Sequence, residues 1–312
     1  MEVVGLGGFP ICHALPPAAG IRYATFHATF YATVSKRTLT ATTGKKDSNP
    51  DLYERLMTSS EPSAPRRQVL FGDKPDWEPA IRQGLADTFN LTFMDLQSCE
   101  DLDQYDVVVP LTCPEIAHLS THHPDLCPRK LLAPSIELLQ LTDDKSLFND
   151  FLRNHGYGNY LPGPAVAPPY LLKKRVDAWG MHTRIIPAGE TVAFDPDSYF
   201  TQELVPGPIE YVTHILAKRG EIAFHHSFAY TFTQDRYVKS SACTPQAMHS
   251  MDTEHLPLFQ SIITDLAFTG FCCFNFKVLD GVVKIFELNP RMGASLVNAI
   301  RPAMHSYLAC LE

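Results

Sequence analysis

Apolar residues from Arg67 onward fall first into a mixed strand and helix rhythm and later into strands almost alone. Residues 67–72 read as a buried strand, and residues 78–89 carry Ala80, Ile81, Leu85 and Phe89 at helical spacing. Residues 91–94 and 105–111 supply further strands, and 131–133 another. Alternation of this kind predicts a small, mostly parallel sheet. Ser135 is placed to cap a short helix through Leu139. Thr142 is placed to cap a second over 143–155, with Asp143 and Asp144 near its positive end. Beyond Gly156 strand-like runs dominate, at 170–173, 191–194, 199–204, 209–216 and 221–232, followed by a helix over 256–269. A hairpin closes the pattern, with 271–279 and 282–288 flanking Asp280-Gly281, where glycine supplies the positive φ of a tight turn.

Length and composition leave this picture in place. The 312 residues, 45% hydrophobic and 19% charged, suffice for about two packed domains. A formal net charge of -8 argues against a nucleic-acid or anionic-membrane surface, because polyanions attract basic faces. No apolar run of about 18 residues spans a bilayer. The eight cysteines are scattered and read as reduced; the grouping of Cys113 and Cys127 with His118, His122 and His123 reads as a proline-rich loop rather than a zinc site.

Residues 1–46 hold one acid, Glu2, against Arg22, Lys36, Arg37, Lys45 and Lys46, a balance shared by targeting peptides and appended extensions. Residues 49–65 read as a polar linker around a helical patch at 52–57. The expected organisation is an extension over 1–65, a small α/β domain over 66–140 and an α+β domain over 141–312. The compartment expected is the cytoplasm, or an organelle if residues 1–46 are a transit peptide. The sequence is silent on oligomeric state.

Chemistry concentrates on the last hairpin. Asn275, Glu287 and Asn289 each offer an oxygen, and alternation puts Glu287 and Asn289 on one strand face. Carboxylate and amide oxygens suit magnesium, which keeps open positions for phosphate oxygens. Arg291, two residues on, would fork onto a phosphoryl group. By itself this motif serves an ordinary strand end equally well. Lys173 ends an apolar strand, where a charge is costly unless it faces a ligand or solvent. Lys145 lies in a helix beside Asp144, and residues 202–207 end a strand in a turn with Glu210 just beyond.

In this order, these stations resemble the ATP-grasp superfamily, most specifically at Phe286-Glu287-Leu288-Asn289-Pro290-Arg291. The resemblance covers about residues 141–311. It implies an α+β ATP-grasp fold, two α+β lobes sandwiching ATP, preceded by a small α/β parallel-sheet domain. By the same resemblance Lys145 and Lys173 would hold ATP phosphates, while Gln202, Glu203, Leu204 and Val205 would form the hinge that binds adenine. Glu210 would meet the ribose. Asn275, Glu287 and Asn289 would ligate magnesium, and Arg291 and Glu287 would be the catalytic pair. The implied reaction is an ATP- and Mg2+-dependent ligation of a small-molecule carboxylate to an amine through an acyl phosphate. Asn275 replaces the usual acid, which leaves open a kinase or carbamoyl-phosphate-type enzyme. The loop 174–183 holds one glycine, so Lys174, Arg175 or His182 would supply phosphate donors; an inactive nucleotide-binding module is the third reading. Arg301 is an extra candidate for a substrate carboxylate. His225, His226, Cys272 and Cys273 read as packing residues.

Overall fold

Apolar runs buried on both faces in β1 (Gln68–Phe71) and β3 (Val107–Val109), with the more exposed β2 (Asn90–Phe93) at the edge, build a parallel sheet in the order β2-β1-β3. The computed structural model describes residues 65–311 except 166, 178, 179, 241 and 242. All of these belong to one unit, Leu39–Glu312. The expected extension, its targeting character and the linker helix at 52–57 lie outside the described residues. No helix among the described residues is long and apolar enough to cross a membrane.

Helix α1 (Glu78–Leu85) buries Ile81 and Leu85 and ends four residues short of the expected span, in a turn over 86–88. Helix α2 (Cys113–His122) replaces the expected loop. Pro114 sits in its first turn, where no N–H is required, and Thr112 and Glu115 form a reciprocal capping box. Residues 131–133 form no strand, because the Leu132 N–H donates to Tyr307 Oη at 2.7 Å rather than to a sheet neighbour. Helix α3 (Ile136–Asp143) is capped by Ser135 as expected but runs through Thr142, whose hydroxyl donates back to the Leu138 carbonyl at 2.7 Å. Asp144 therefore caps α4 (Lys145–Asn154), accepting from Ser146 and Leu147 at 2.9 and 3.2 Å.

Strands β4 (Tyr170–Lys174), β5 (Arg184–Ile186) and β6 (Tyr199–Glu203) make an antiparallel sheet in the order β5-β4-β6. The strand expected at 191–194 is absent, its place beside β4 being taken by β5. A second antiparallel sheet runs β11-β10-β7-β8-β9, from β7 (Ile209–Lys218), β8 (Glu221–Thr231), β9 (Ala247–Met251), β10 (Gly270–Leu279) and β11 (Val282–Asn289). Strand β9 gave no apolar signal because Met248 alone is buried. Asp280 and Gly281 both take positive φ, 51° and 77°, in the hairpin turn.

Two of three apolar cores among the described residues support the site. Phe148 and Leu152 of α4, Phe259 and Ile262 of α5 (Leu256–Asp265), and Phe274, Phe276, Ile285 and Leu288 of the hairpin form one. The other joins β1 and α1 to Met292, Leu296 and the C-terminal helix α6 (Ile300–Leu311). Tyr307 of α6 pins this junction, its hydroxyl donating to the Val108 carbonyl at 3.0 Å.

At the C-terminal edge of the parallel sheet, the buried Glu115 carboxylate accepts N–H groups from Asp73 (3.0 Å), Leu111 (2.9 Å) and Thr112 (2.9 Å). Gly72 lies so close that any Cβ there would strike this carboxylate. Glu115→Ala strands three amides, and we expect a loss of about 3 kcal/mol, read from urea unfolding. In that background Gly72→Ala should be markedly less damaging than in the wild type, because the carboxylate it strikes is gone.

Candidate functional site

A bulge sets the geometry of the site. Asn275 pairs with Glu287 but Phe276 pairs with Ile285, so Phe286 is an extra residue in β11. Strict alternation from Ile285 would carry Glu287 into the core. The extra residue instead lets Ile285 and Leu288 both pack inward and leaves Glu287 and Asn289 on the opposite face. There the Glu287 Oε1 atom accepts from Asn275 Nδ2 at 2.8 Å and Asn289 Nδ2 at 3.0 Å.

Lysines converge on this carboxylate from separate elements. Lys145, first residue of α4, puts Nζ 3.4 Å from Glu287 Oε2 and donates to the Asp177 carbonyl at 2.9 Å. Lys173 of β4 donates to Gln202 Oε1 at 3.2 Å and to the bulge carbonyl of Phe286 at 3.3 Å. Lys239, after β8, pairs with Glu210. Burial alone would raise the Glu287 pKa, but Lys145, Lys173, the Asn289 hydrogen bond and Lys239 outweigh it and hold the value at about 2. Lys173 is pushed the other way, to about 8, by burial that the pull of Glu287 only partly offsets. Burial also opposes the charge of Lys239, yet Glu210 raises its pKa.

Gln202, Leu204 and Val205 are buried, and the Glu203 carboxylate is held by the Gly163 N–H at 2.7 Å. Lys277 of β10 donates to the carbonyls of Val205 at 3.2 Å and Gly207 at 2.6 Å, clamping the segment after β6 to the large sheet. Sequence reasoning missed Lys277 and Lys239. The first shares the strand face of Asn275, two residues away, and was findable on that ground. The second lies in a polar connection without periodicity.

Arg291 donates to the Met292 carbonyl at 3.2 Å, and its charge acts on Cys113, Asp143 and Cys273. Its loop rests on His214, which bonds Ser295 Oγ at 2.7 Å through Nε2 and is kept neutral by burial, its pKa near 3. A Cβ on Gly293 would stand 2.5 Å from the His214 ring. His214 was not foreseen, for nothing in sequence separates it from other strand histidines.

Several expected donors are engaged elsewhere. Arg175 pairs with Asp144 at 2.8 Å and His182 with Asp177 at 3.1 Å, so neither is directed outward as a phosphate donor. Arg301 pairs with Asp87 at 2.7 Å. His226 bonds Ser250 at 2.8 Å while His225 is exposed. Cys272 lies in the core, and Cys273 faces the site. Among the described residues no group of three or more His, Cys, Asp or Glu could hold a metal, which includes the cluster of His118, His122 and His123.

No protein-family model matches the sequence, and no curated protein matches it either. Solved structures do. Phosphoribosylamine–glycine ligase from Thermotoga maritima superposes with a TM-score of 0.56 at 13% identity, over 78% of this chain and 75% of that one. D-alanine–D-alanine ligase from Bacillus anthracis complexed with ATP gives 0.51 at 13%, over 80% and 96%. The ATP-grasp ligase PsnB, complexed with a minimal precursor, gives 0.52 at 12%, over 79% and 100%. The fold is ATP-grasp. At such identities the likeness concerns the fold, and chemistry must come from the residues.

Within this ATP-grasp fold the buried charges make a direct prediction. Lys173 should titrate near 8 by NMR of lysine-labelled protein. Glu287→Gln, which removes the attraction that raises this value, should lower it by about one unit or more. Because the unfolded chain binds the proton up to about 10.5, stability should rise between pH 8 and 10.5 as folded Lys173 becomes neutral.

Proposed function

We propose that this chain is an ATP- and magnesium-dependent ligase that joins a small-molecule carboxylate to an amine through an acyl phosphate. The observation that carries the reading is Glu287, half-buried between two amides and faced by lysines from α4, β4 and the segment after β8. Three ammonium groups round two carboxylates, Glu287 and Glu210, make a pocket suited to a polyphosphate and one hard cation.

The donor set fits a single magnesium. Glu287 offers carboxylate oxygens, and turning either amide over presents the oxygen of Asn275 or Asn289 in place of its N–H, so carboxylate, amide and phosphate oxygens would complete the shell. Bound there, magnesium and ATP would supply charge neutralisation and the transferable phosphoryl group. Lys145 and Lys173 would hold phosphate oxygens, and Lys239 would join them. The 202–205 segment, fixed by Lys277, would offer backbone groups to adenine, and Glu210 would exchange Lys239 for ribose hydroxyls. Arg291 would fork onto the transferring group and onto the acyl phosphate, where charge develops on oxygen. The amine would then displace phosphate. No protein nucleophile is required, and the thiols of half-buried Cys113, pushed up to about 12, and buried Cys273, pushed up to about 11, are poor ones.

The decisive measurement is phosphate release from ATP with magnesium and pooled amino acids and small carboxylic acids. Release should require both a carboxylate and an amine, and Glu287→Gln should abolish it. Arg291→Ala should slow it about a hundredfold or more while leaving ATP binding largely intact. A phosphorylated product without amine dependence would favour the kinase or carbamoyl-phosphate-type reading, for which the neutral Asn275 speaks. Binding of ATP with no release would favour a binding module.

A further inference from the structure

Asp143 carries a carboxylate that its helix does not favour. The sequence places it at the positive end of a helix, but the structure makes it the last residue of α3, whose exposed carbonyls repel an anion. It is half-buried and forms no ion pair among the described residues. Its one hydrogen bond is from the Cys113 thiol to Oδ1 at 3.5 Å, a weak donor to a group with several acceptor positions. Burial raises its pKa despite that bond and the charges of Lys145 and Arg291.

Its surroundings indicate what it would meet. Cys113 begins α2 at the C-terminal edge of the parallel sheet, where loops of the first lobe open. Arg291 and Lys145 approach from the hairpin loop and from α4. Asp143 thus lies beside the C-terminal edge of the parallel sheet and within the field of Arg291, the group assigned to the acyl phosphate. A second metal is poorly served here, since the described residues hold no cluster of three acidic or imidazole ligands.

We propose that Asp143, oriented by Cys113, forms the subsite that receives the amine substrate as its ammonium ion beside the acyl phosphate; that ion gives up one proton to solvent before its nitrogen attacks the acyl carbon and phosphate leaves. This rests on the ligase reading above. It gives that reading a substrate class: an amine that is cationic at neutral pH.

The test compares two acceptors for the same acyl phosphate. With ATP, magnesium and pooled amino acids, amide formation is measured by mass spectrometry, and hydroxamate formation is measured with hydroxylamine, which is largely uncharged at neutral pH. For Asp143→Asn, which keeps the shape and an acceptor for the thiol, the ratio of amide to hydroxamate rate should fall about tenfold or more through a raised KM for the amine. An equal fall in both rates, or none in either, would overturn the subsite. If Asp143→Asn does not fold, Asp143→Glu must show the same fall in ratio. Wild-type protein that gives neither product would sink the ligase reading itself, and the subsite with it.

Discussion

The structure is organised around a cluster of buried and partly buried charge. Lys145, Lys173 and Lys239 face Glu287 and Glu210, three positive groups against two negative, inside a chain whose formal net charge is -8. Away from water such an excess is resolved either by loss of a proton or by the arrival of an anion. A bias towards the first is seen at Lys173, whose pKa burial drives down to about 8, although the ammonium form still dominates at neutral pH. The arrival of an anion is the event for which the proposed nucleotide site is suited, because phosphate oxygens would stabilise the ammonium forms. The same cations explain why Glu287 remains ionised in a position where burial alone would favour its acid form.

Holding like charges together demands rigid supports, and these come from apolar packing behind them. Strand β10 turns Phe274 and Phe276 towards α4 and α5, leaving Asn275 and Lys277 for the opposite face. The β11 bulge reverses the parity of its strand at one residue, so that a single carboxylate can follow Ile285 without disturbing the core. Lys173 then bonds the carbonyl of the bulged residue, tying β4 to the large sheet at the point where the backbone departs from regularity. His214 performs the matching task for the Arg291 loop, filling the space that only a glycine at 293 leaves open.

Much of this was legible because it depends on chemistry local in sequence. Glu287 and Asn289 are two residues apart, and the Asp-Gly turn of their hairpin is specified by its own φ requirement. What was not legible depends on contacts distant in sequence. Thr142 and Asp144 both qualify as caps, and only the packing of α3 decides between them. Residues 131–133 have strand composition, but Tyr307, 175 residues after Leu132, claims the backbone N–H. Residues 113–128 hold three prolines, Pro114, Pro124 and Pro128, yet Pro114 falls in the one turn that tolerates it. Lys239 is invisible because pairing with Glu210 across the lobe leaves no periodic trace. The fold class was therefore readable, whereas the full set of charges round Glu287 was not.

The corner between α3 and α4 shows how a helix break can distribute function. Asp143, Asp144 and Lys145 are consecutive, and in one continuous helix their side chains would splay only by the helical step of about 100° each. Asp144 leaves helical geometry, with φ -80° and ψ 106°, so the three part company. Asp144 turns to cap α4 and to pair with Arg175, binding the helix to β4. Lys145 enters the pocket towards Glu287, and Asp143 is left beside Cys113, under the charge of Arg291. One non-helical residue thus places a cation and an anion in neighbouring regions of the same site while spending the middle residue on structure. Had Thr142 been the cap, Asp143 would have served the helix as a favourable N-terminal charge, and its carboxylate would have had a structural reason to be there.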